Sequence, residues 1–132
     1  MNAGGPEKKG RPPLDEARAR ELLGRERERI ERSLAAQRQI REGELDEIRT
    51  ATDIADDAGL IGEEQFDEAL AEQLRAELEA VERAEKRLED GTYGFSIESG
   101  EPIPAGRLEA IPWAERTAEE QETYERRHGS GP

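Results

Sequence analysis

The chain has 132 residues, a formal net charge of −13, 40% charged and 33% apolar residues, and no cysteine. It is expected to be one domain with a small core, and its negative charge argues against direct binding to nucleic acid or to an anionic membrane. The missing cysteines exclude disulfides and thiol chemistry, and the single His128 cannot form a metal site alone. No apolar run resembles a membrane span or a signal peptide, so we expect a cytoplasmic protein with a protein partner and no cofactor.

Residues 1–13 are rich in glycine and proline and are expected to be a disordered N-terminal tail. From Leu14 to about Arg49, and again from about Leu60 to Asp90, apolar residues recur at steps of three and four, which predicts amphipathic helices. Residues 14–90 are therefore expected to form an antiparallel coiled coil, with a tip near 50–59. A helix of about 30 residues reaches roughly 45 Å, long enough to enter a deep cleft.

The register of this hairpin follows from the apolar positions. Facing residues of antiparallel helices have a constant index sum, and three pairs share one sum: Leu23 with Leu88, Ile30 with Val81, and Leu45 with Phe66. This register places the turn near residues 55 and 56. It also pairs Gln37 with Leu74 and Arg41 with Leu70, so the contact between the two helices is expected to be weaker in its middle. Gly43 is expected to interrupt the first helix.

Residues 91–127, called the base below, follow the second helix. Gly91 and Gly94 indicate its end, and a short hairpin is expected from Ile97 to Ile103. One helical turn is expected at Arg107–Ala110, a terminal helix at Glu115–Arg127, and a flexible C-terminus at 128–132. Six apolar residues are expected to pack together and onto Leu23 and Leu88: Phe95, Ile97, Ile103, Leu108, Ile111 and Trp113.

The base also carries a spaced motif. Tyr93-Gly94 is followed by Ser96 and Ser99, then by Arg107, Leu108, Ala110, Pro112 and Ala114, and finally by Thr117 and Glu120. This pattern resembles the C4-type zinc finger of the DksA/TraR family of RNA polymerase regulators, with Ser96, Ser99, Thr117 and Glu120 at the four ligand positions. The resemblance implies a mainly α fold: a long antiparallel coiled-coil hairpin with a small degenerate zinc-finger-like base and a C-terminal helix.

Zinc is not expected at these positions. Hydroxyl groups are poor zinc ligands, which leaves Glu120 as the one good anionic donor. Packing is expected to replace the metal, and the four side chains can form a hydrogen-bonded remnant of the site. Chelator should therefore leave the protein folded.

The family resemblance extends to the tip, where Asp53, Asp56 and Ala58 match an Asp-x-x-Asp-x-Ala spacing. It implies that the coiled coil enters the secondary channel of bacterial RNA polymerase and that the tip alters initiation at promoters such as ribosomal ones. From local sequence alone, Asp53, Asp56 or Asp57 instead caps the second helix. The alarmone ppGpp is expected to act weakly or not at all, because the second helix up to Ala80 has Arg75 as its one basic residue and Gln121 follows Glu120.

Other functions remain open at this point. Nothing in the sequence offers a nucleophile with a nearby base or a phosphate-binding loop, so no enzyme is expected. A degenerate paralogue that acts as a coiled-coil adaptor or homodimer is the alternative. A cleavage factor of the Gre type shares the acidic coiled coil, but the base fits it poorly.

Overall fold

The computed structural model of the chain describes residues 11–53 and 65–128, and of residues 51–53 it describes the backbone alone. The described residues form α1 (Glu16–Asp53), α2 (Glu68–Asp90), α3 (Ala105–Ala110) and α4 (Ala118–His128). This confirms the mainly α class. The chain divides into two compact units: the first unit comprises Met1–Arg27 and Glu79–Pro132, and the second unit comprises Glu28–Leu78. None of the described helices combines the length and apolarity needed to cross a membrane.

Helix α1 begins after an N-cap aspartate and continues further than expected. The Oδ2 atom of Asp15 accepts a hydrogen bond from the Arg18 backbone N at 3.1 Å, which satisfies a free N–H group of the first turn. The helix passes through Gly43 without a break and ends at Asp53. Because α1 reaches Asp53, the helix includes the first residues of the segment that was expected to be the tip; the expected turn near residues 55 and 56 lies outside the described residues.

Helix α2 begins later than its sequence pattern suggests. Residues 65–67 are not helical, and Asp67 is the N-cap: its Oδ1 atom accepts a hydrogen bond from the Leu70 backbone N at 3.0 Å. The helix ends in a Schellman motif, in which Thr92 N donates to Arg87 O at 2.9 Å and Gly91 N donates to Leu88 O at 3.3 Å. Gly91 has a φ of 80°, a value that glycine adopts without steric cost.

The two long helices run antiparallel. In the first unit, Arg27 Nη2 lies 2.6 Å from Glu85 Oε1, and Leu23 and Leu88 are both buried as expected. In the second unit, Arg29 Nη2 lies 3.1 Å from Glu77 Oε1. The index sum of Arg27 and Glu85 is one above the sum inferred from the apolar positions, whereas that of Arg29 and Glu77 is five below it.

The expected contact of Leu45 with Phe66 does not form a buried layer. Leu45 is 42% exposed, and polar groups of α1 meet the start of α2 instead. Glu44 Oε2 accepts a hydrogen bond from Phe66 N at 2.8 Å, and the Arg41 guanidinium lies 4.9 Å from the centre of the Phe66 ring. Gln37 Oε1 also accepts a hydrogen bond from the Asp67 backbone N at 2.9 Å. Polar side chains of α1 therefore satisfy the backbone N–H groups of the two residues just before α2.

The base has a small apolar core that differs in part from the expected one. Ile103 and Leu108 are fully buried, together with Tyr93 and Ala114. Ile97, however, is 51% exposed, because its neighbour Ser96 takes the inward position. Phe95, Ile111 and Trp113 are only half-buried. The expected hairpin is present as a single bridge between Phe95 and Pro102.

The segment before α1 takes part in this packing. Pro12 and Pro13 are half-buried and Leu14 is buried. A Cβ atom placed on Gly94 would lie 2.9 Å from Pro13 Cδ, so the proline ring lies directly over the Gly94 backbone. The packed part of the chain thus begins before Leu14, inside the segment that was expected to be a tail.

Candidate functional site

The first pair of zinc-ligand positions, Ser96 and Ser99, lies in a tight turn of the base. Gly94 and Gly100 flank the turn with φ values of 91° and 78°. Ser96 is 5% exposed, and its Oγ atom accepts hydrogen bonds from the backbone N of Glu98 at 3.0 Å and of Ser99 at 3.1 Å. The serine therefore orders the turn through its own hydroxyl group.

The second pair, Thr117 and Glu120, begins helix α4. Thr117 Oγ1 accepts a hydrogen bond from Glu120 N at 3.2 Å, and Glu120 Oε1 accepts one from Thr117 N at 2.9 Å. This reciprocal arrangement is a capping box, which satisfies two N–H groups of a helix start. The Thr-x-x-Glu spacing is a sequence signal for such a box. Sequence reasoning assigned these two residues to zinc-ligand positions and did not predict the box.

One hydrogen bond joins the two pairs. Ser96 Oγ donates to Glu120 Oε1 at 2.6 Å, so this carboxylate oxygen also accepts from the first turn. Hydrogen bonds from Ser96, then from Ser99 and Thr117, lower the pKa of Glu120 to about 2, because they stabilise its ionised form. The structure thus brings all four residues into one polar cluster.

The donor set of this cluster does not fit zinc. Three of its members offer hydroxyl groups, whereas structural zinc prefers thiolate and imidazole ligands. The hydroxyl of Ser96 and the Oε1 atom of Glu120 already have two or more hydrogen-bond partners each. Across the part of the chain that the structure describes, no three His, Cys, Asp or Glu residues are grouped as a metal site would require.

An ion-pair cluster beside these turns fixes the base to α2. Glu115 accepts hydrogen bonds from Arg83 Nε at 2.8 Å and from Arg87 Nη1 at 3.1 Å, and its backbone O accepts one from Ile97 N at 2.9 Å. Burial acts to raise the pKa of Glu115, but the two guanidinium groups outweigh it and hold that pKa below its usual value. Burial lowers the pKa of Arg87, and its Nε and Nη2 atoms have no hydrogen-bond partner among residues 11–53 and 65–128.

Arg116 provides another link between the turns. Its Nε atom donates to the Glu98 carboxylate, and its guanidinium lies 3.8 Å from the centre of the Tyr124 ring on α4. Its backbone O accepts a hydrogen bond from Arg107 Nε at 3.0 Å, which gives the expected motif residue Arg107 a structural contact. Sequence reasoning missed Arg116, because nothing in the local pattern indicates its partners.

The residues of the predicted tip lie apart from the base cluster in sequence, and only one of them is described. Asp53 is the last residue of α1, whereas Asp56 and Ala58 lie outside the described residues. The last turn of α1 contains no basic residue to balance this acidic end. The cap of α2 is Asp67, so none of the three tip aspartates is the N-cap of α2.

Comparisons with known proteins give a family match to the base and several similar proteins. The prokaryotic dksA/traR C4-type zinc finger family matches residues 91–126. The chain is 37% identical over 81 residues to the RNA polymerase-binding transcription factor DksA of Caulobacter vibrioides, covering 61% of this chain and 57% of that protein. It is 38% identical over 84 residues to General stress protein 16O of Bacillus subtilis, covering 62% and 52% respectively. The chain therefore spans just over half the length of these curated relatives.

A solved structure extends the likeness to most of the chain. Transcription factor DksA2 from Pseudomonas aeruginosa is 31% identical, and the match covers 86% of this chain and 84% of that one with a TM-score of 0.58. The coverage includes the helical hairpin as well as the base, and the hairpin with its small base is the architecture described above. The chain belongs to the DksA/TraR family, as a member without cysteines.

Proposed function

We propose that this chain is a transcription regulator that binds bacterial RNA polymerase and has no enzymatic activity. The likeness to DksA2 over 84% of that chain is the observation that carries the proposal. A relative named an RNA polymerase-binding transcription factor supports it. Binding is proposed to occur through the secondary channel, so that the tip of the coiled coil modulates initiation at promoters such as ribosomal ones.

The effector residues in this proposal are Asp53, Asp56 and Ala58. Asp53 is the last residue of α1 that the structure describes, and the match of the three residues to the family's Asp-x-x-Asp-x-Ala spacing supports the proposal.

The transcription test compares the wild-type chain with Asp53→Asn and Asp56→Asn on a ribosomal promoter. Asp57→Asn, which changes an adjacent carboxylate outside the motif, is the matched control. We expect the first two variants to lose most of the effect on transcription while they still bind core polymerase in a pull-down. Equal activity of all four proteins would remove the tip mechanism, and failure of the wild-type chain to bind polymerase would remove the proposed function.

We further propose that ppGpp adds little to the effect of this chain. The Arg75 guanidinium already lies 3.7 Å from the Glu68 carboxylate, and the Gln121 amide donates to Glu125 at 3.0 Å. Neither position offers a spare cation for a phosphate. Transcription with and without ppGpp should therefore differ little, and a large gain with ppGpp would contradict this.

The alternative is a helical adaptor or a homodimer. Exposed apolar side chains in the second unit favour it: Leu45 is 42% exposed, Ile48 63% and Leu70 38%. Sedimentation of the purified chain, together with the polymerase pull-down, separates the two functions. A stable dimer that does not bind polymerase supports the adaptor.

A further inference from the structure

The chain matches a C4-type zinc finger family over residues 91–126 but has no cysteine to bind the metal. In a C4-type finger, four thiolates on two turns are joined through one zinc ion, and the metal supplies much of the folding free energy. The corresponding turns here are residues 96–99 and 117–120, and they contain no cysteine. Something else must hold the two turns together.

We propose that the carboxylate of Glu120 joins the two turns in place of the metal. Its Oε1 atom accepts from the Thr117 backbone N on its own turn and from Ser96 Oγ on the other. Hydrogen bonds to a charged carboxylate are about twice as strong as bonds between neutral groups, so one acceptor can hold both turns. We call these bonds the carboxylate latch.

Both residues of the latch are held in place by further hydrogen bonds. Their bond to each other therefore fixes the position of one turn relative to the other. Ser96 is buried, and its Oγ atom accepts from two backbone N–H groups of its own turn. Glu120 is held in the second turn by the capping box that begins α4, in which its backbone N donates to Thr117 Oγ1. The same oxygen therefore serves both helix capping and closure of the base.

Two further bonds join the first turn to the residues just before the second turn. Ile97 N donates to Glu115 O at 2.9 Å, and Arg116 Nε donates to the Glu98 carboxylate. Both bonds lie on the same side of the Ser96 to Glu120 bond and hold the same two parts of the base together. The latch and these two bonds are formed by protein groups alone.

The proposal distinguishes the latch from an ordinary helix cap. A cap alone stabilises α4 and leaves residues 96–99 unaffected, whereas the latch also orders that turn. A cycle of Ser96→Ala, Glu120→Ala and the double variant separates these cases. Thermal unfolding is followed for all three variants and for the wild-type chain.

If the latch holds the turns together, each single variant lowers the melting midpoint by on the order of 5 °C. The double variant should then lose less than the sum of the two single losses, because both changes remove the bond that Ser96 and Glu120 share. The matched cycle uses Glu119→Ala, an exposed glutamate on the same turn, and its effects should add to those of Ser96→Ala. Additive effects in the Ser96 and Glu120 cycle would overturn the proposal.

A second measurement applies even if Ser96→Ala fails to fold. Hydrogen exchange of the Glu98 and Ser99 amides is compared in the wild-type chain and in Glu120→Ala. The latch predicts that both amides lose protection in the variant, although neither belongs to α4. Unchanged protection of these amides would mean that Glu120 only caps α4, and it would overturn the proposal.

The metal itself gives the third readout on the wild-type chain. One equivalent of Zn²⁺, or an excess of EDTA, should leave the melting midpoint unchanged, and elemental analysis should find no stoichiometric zinc. A rise of the midpoint with Zn²⁺, or its loss with EDTA, would overturn the proposal. None of these measurements involves polymerase, so their outcome is independent of the proposed function.

Discussion

At the scale of single residues, Glu115 has the largest structural role that sequence reasoning did not find. Its side chain is 15% exposed and binds two arginines of α2, Arg83 and Arg87. These residues are far apart in sequence, so no local spacing indicates that they meet. The two arginines were visible only as part of a charged helix face, which usually points to solvent.

Removal of this carboxylate is expected to be costly. Glu115→Ala should lower the free energy of unfolding by about 3–5 kcal/mol, because it removes the carboxylate paired with the Arg87 guanidinium, whose side chain is only 13% exposed. Denaturant unfolding measures the change, with the exposed Glu89→Ala on α2 as the control. Equal losses in the two variants would show that the Glu115 cluster adds no stability of its own.

At Gly94, both the backbone conformation and the available space exclude a side chain. Gly94→Ala combines a φ of 91° with a Cβ only 2.9 Å from Pro13 Cδ, so we expect a loss of about 1–3 kcal/mol. Gly106→Ala is the matched control within the base. Its Cβ meets nothing within 4 Å, and it lies in α3, where alanine is expected to add about 0.4–1 kcal/mol. A gain in stability for Gly94→Ala would contradict this prediction.

Tyr93 gives the base a sensitivity to alkaline pH. Burial raises the pKa of Tyr93 to about 12, against the opposing charge of Arg87, and the phenol donates to Pro112 O at 2.8 Å. The raised pKa means that the folded state resists ionisation more than the unfolded state does. The stability contribution is therefore complete below about pH 10 and is lost as the pH rises towards about 12.

Melting midpoints between pH 8 and pH 12 test this dependence. Tyr93→Phe should be less stable at neutral pH, because it lacks the hydrogen bond, but its midpoint should fall less steeply above pH 10. A Tyr93→Phe profile parallel to the wild-type one would assign the alkaline loss to other groups.

At the scale of helices and turns, the sequence predicted which segments are helical better than where they begin. Apolar periodicity identified both long helices and the buried pair Leu23 and Leu88. It did not place the start of α2, because Gln37 and Glu44 on the other helix accept hydrogen bonds from the residues just before that start. Such bonds depend on the tertiary fold, which no local pattern contains.

Gly43 shows a second difference at this scale. It was expected to interrupt α1, but the helix is continuous there, and a Cβ at this position would meet nothing within 4 Å. Gly43→Ala should therefore stabilise the helix by about 1 kcal/mol. Circular dichroism at 222 nm during thermal unfolding measures the gain. Gly24→Ala, which is equally unobstructed in the same helix, should give a similar gain, and a loss in either would indicate a contact that the structure lacks.

At the scale of the whole molecule, charge is the property that sequence alone described completely. The net charge of −13 follows from composition and favours a partner with a basic binding surface. The identity of the four ligand positions came from resemblance, and their arrangement as a hydrogen-bonded cluster came from the structure. Spaced cysteines predict a metal site, whereas serine and threonine hydroxyls do not predict a particular partner. The sequence therefore did not determine which interaction replaces the metal.

The charge leads to a prediction that rests on the proposed function. If the acidic chain is steered towards polymerase, its association rate should fall by on the order of tenfold from low to physiological salt, while dissociation changes little. Stopped-flow binding to core polymerase measures both rates. An association rate independent of salt would mean that charge contributes nothing to the encounter.

The position of Trp113 offers a way to observe the base by itself. It is the chain's one tryptophan, it is half-buried, and it lies next to Pro112, whose carbonyl binds Tyr93. Circular dichroism is dominated by α1 and α2, whereas the indole emission depends on the packing around residues 93–114. Fluorescence and circular dichroism recorded on one sample therefore report separately on the base and on the long helices, without any added label.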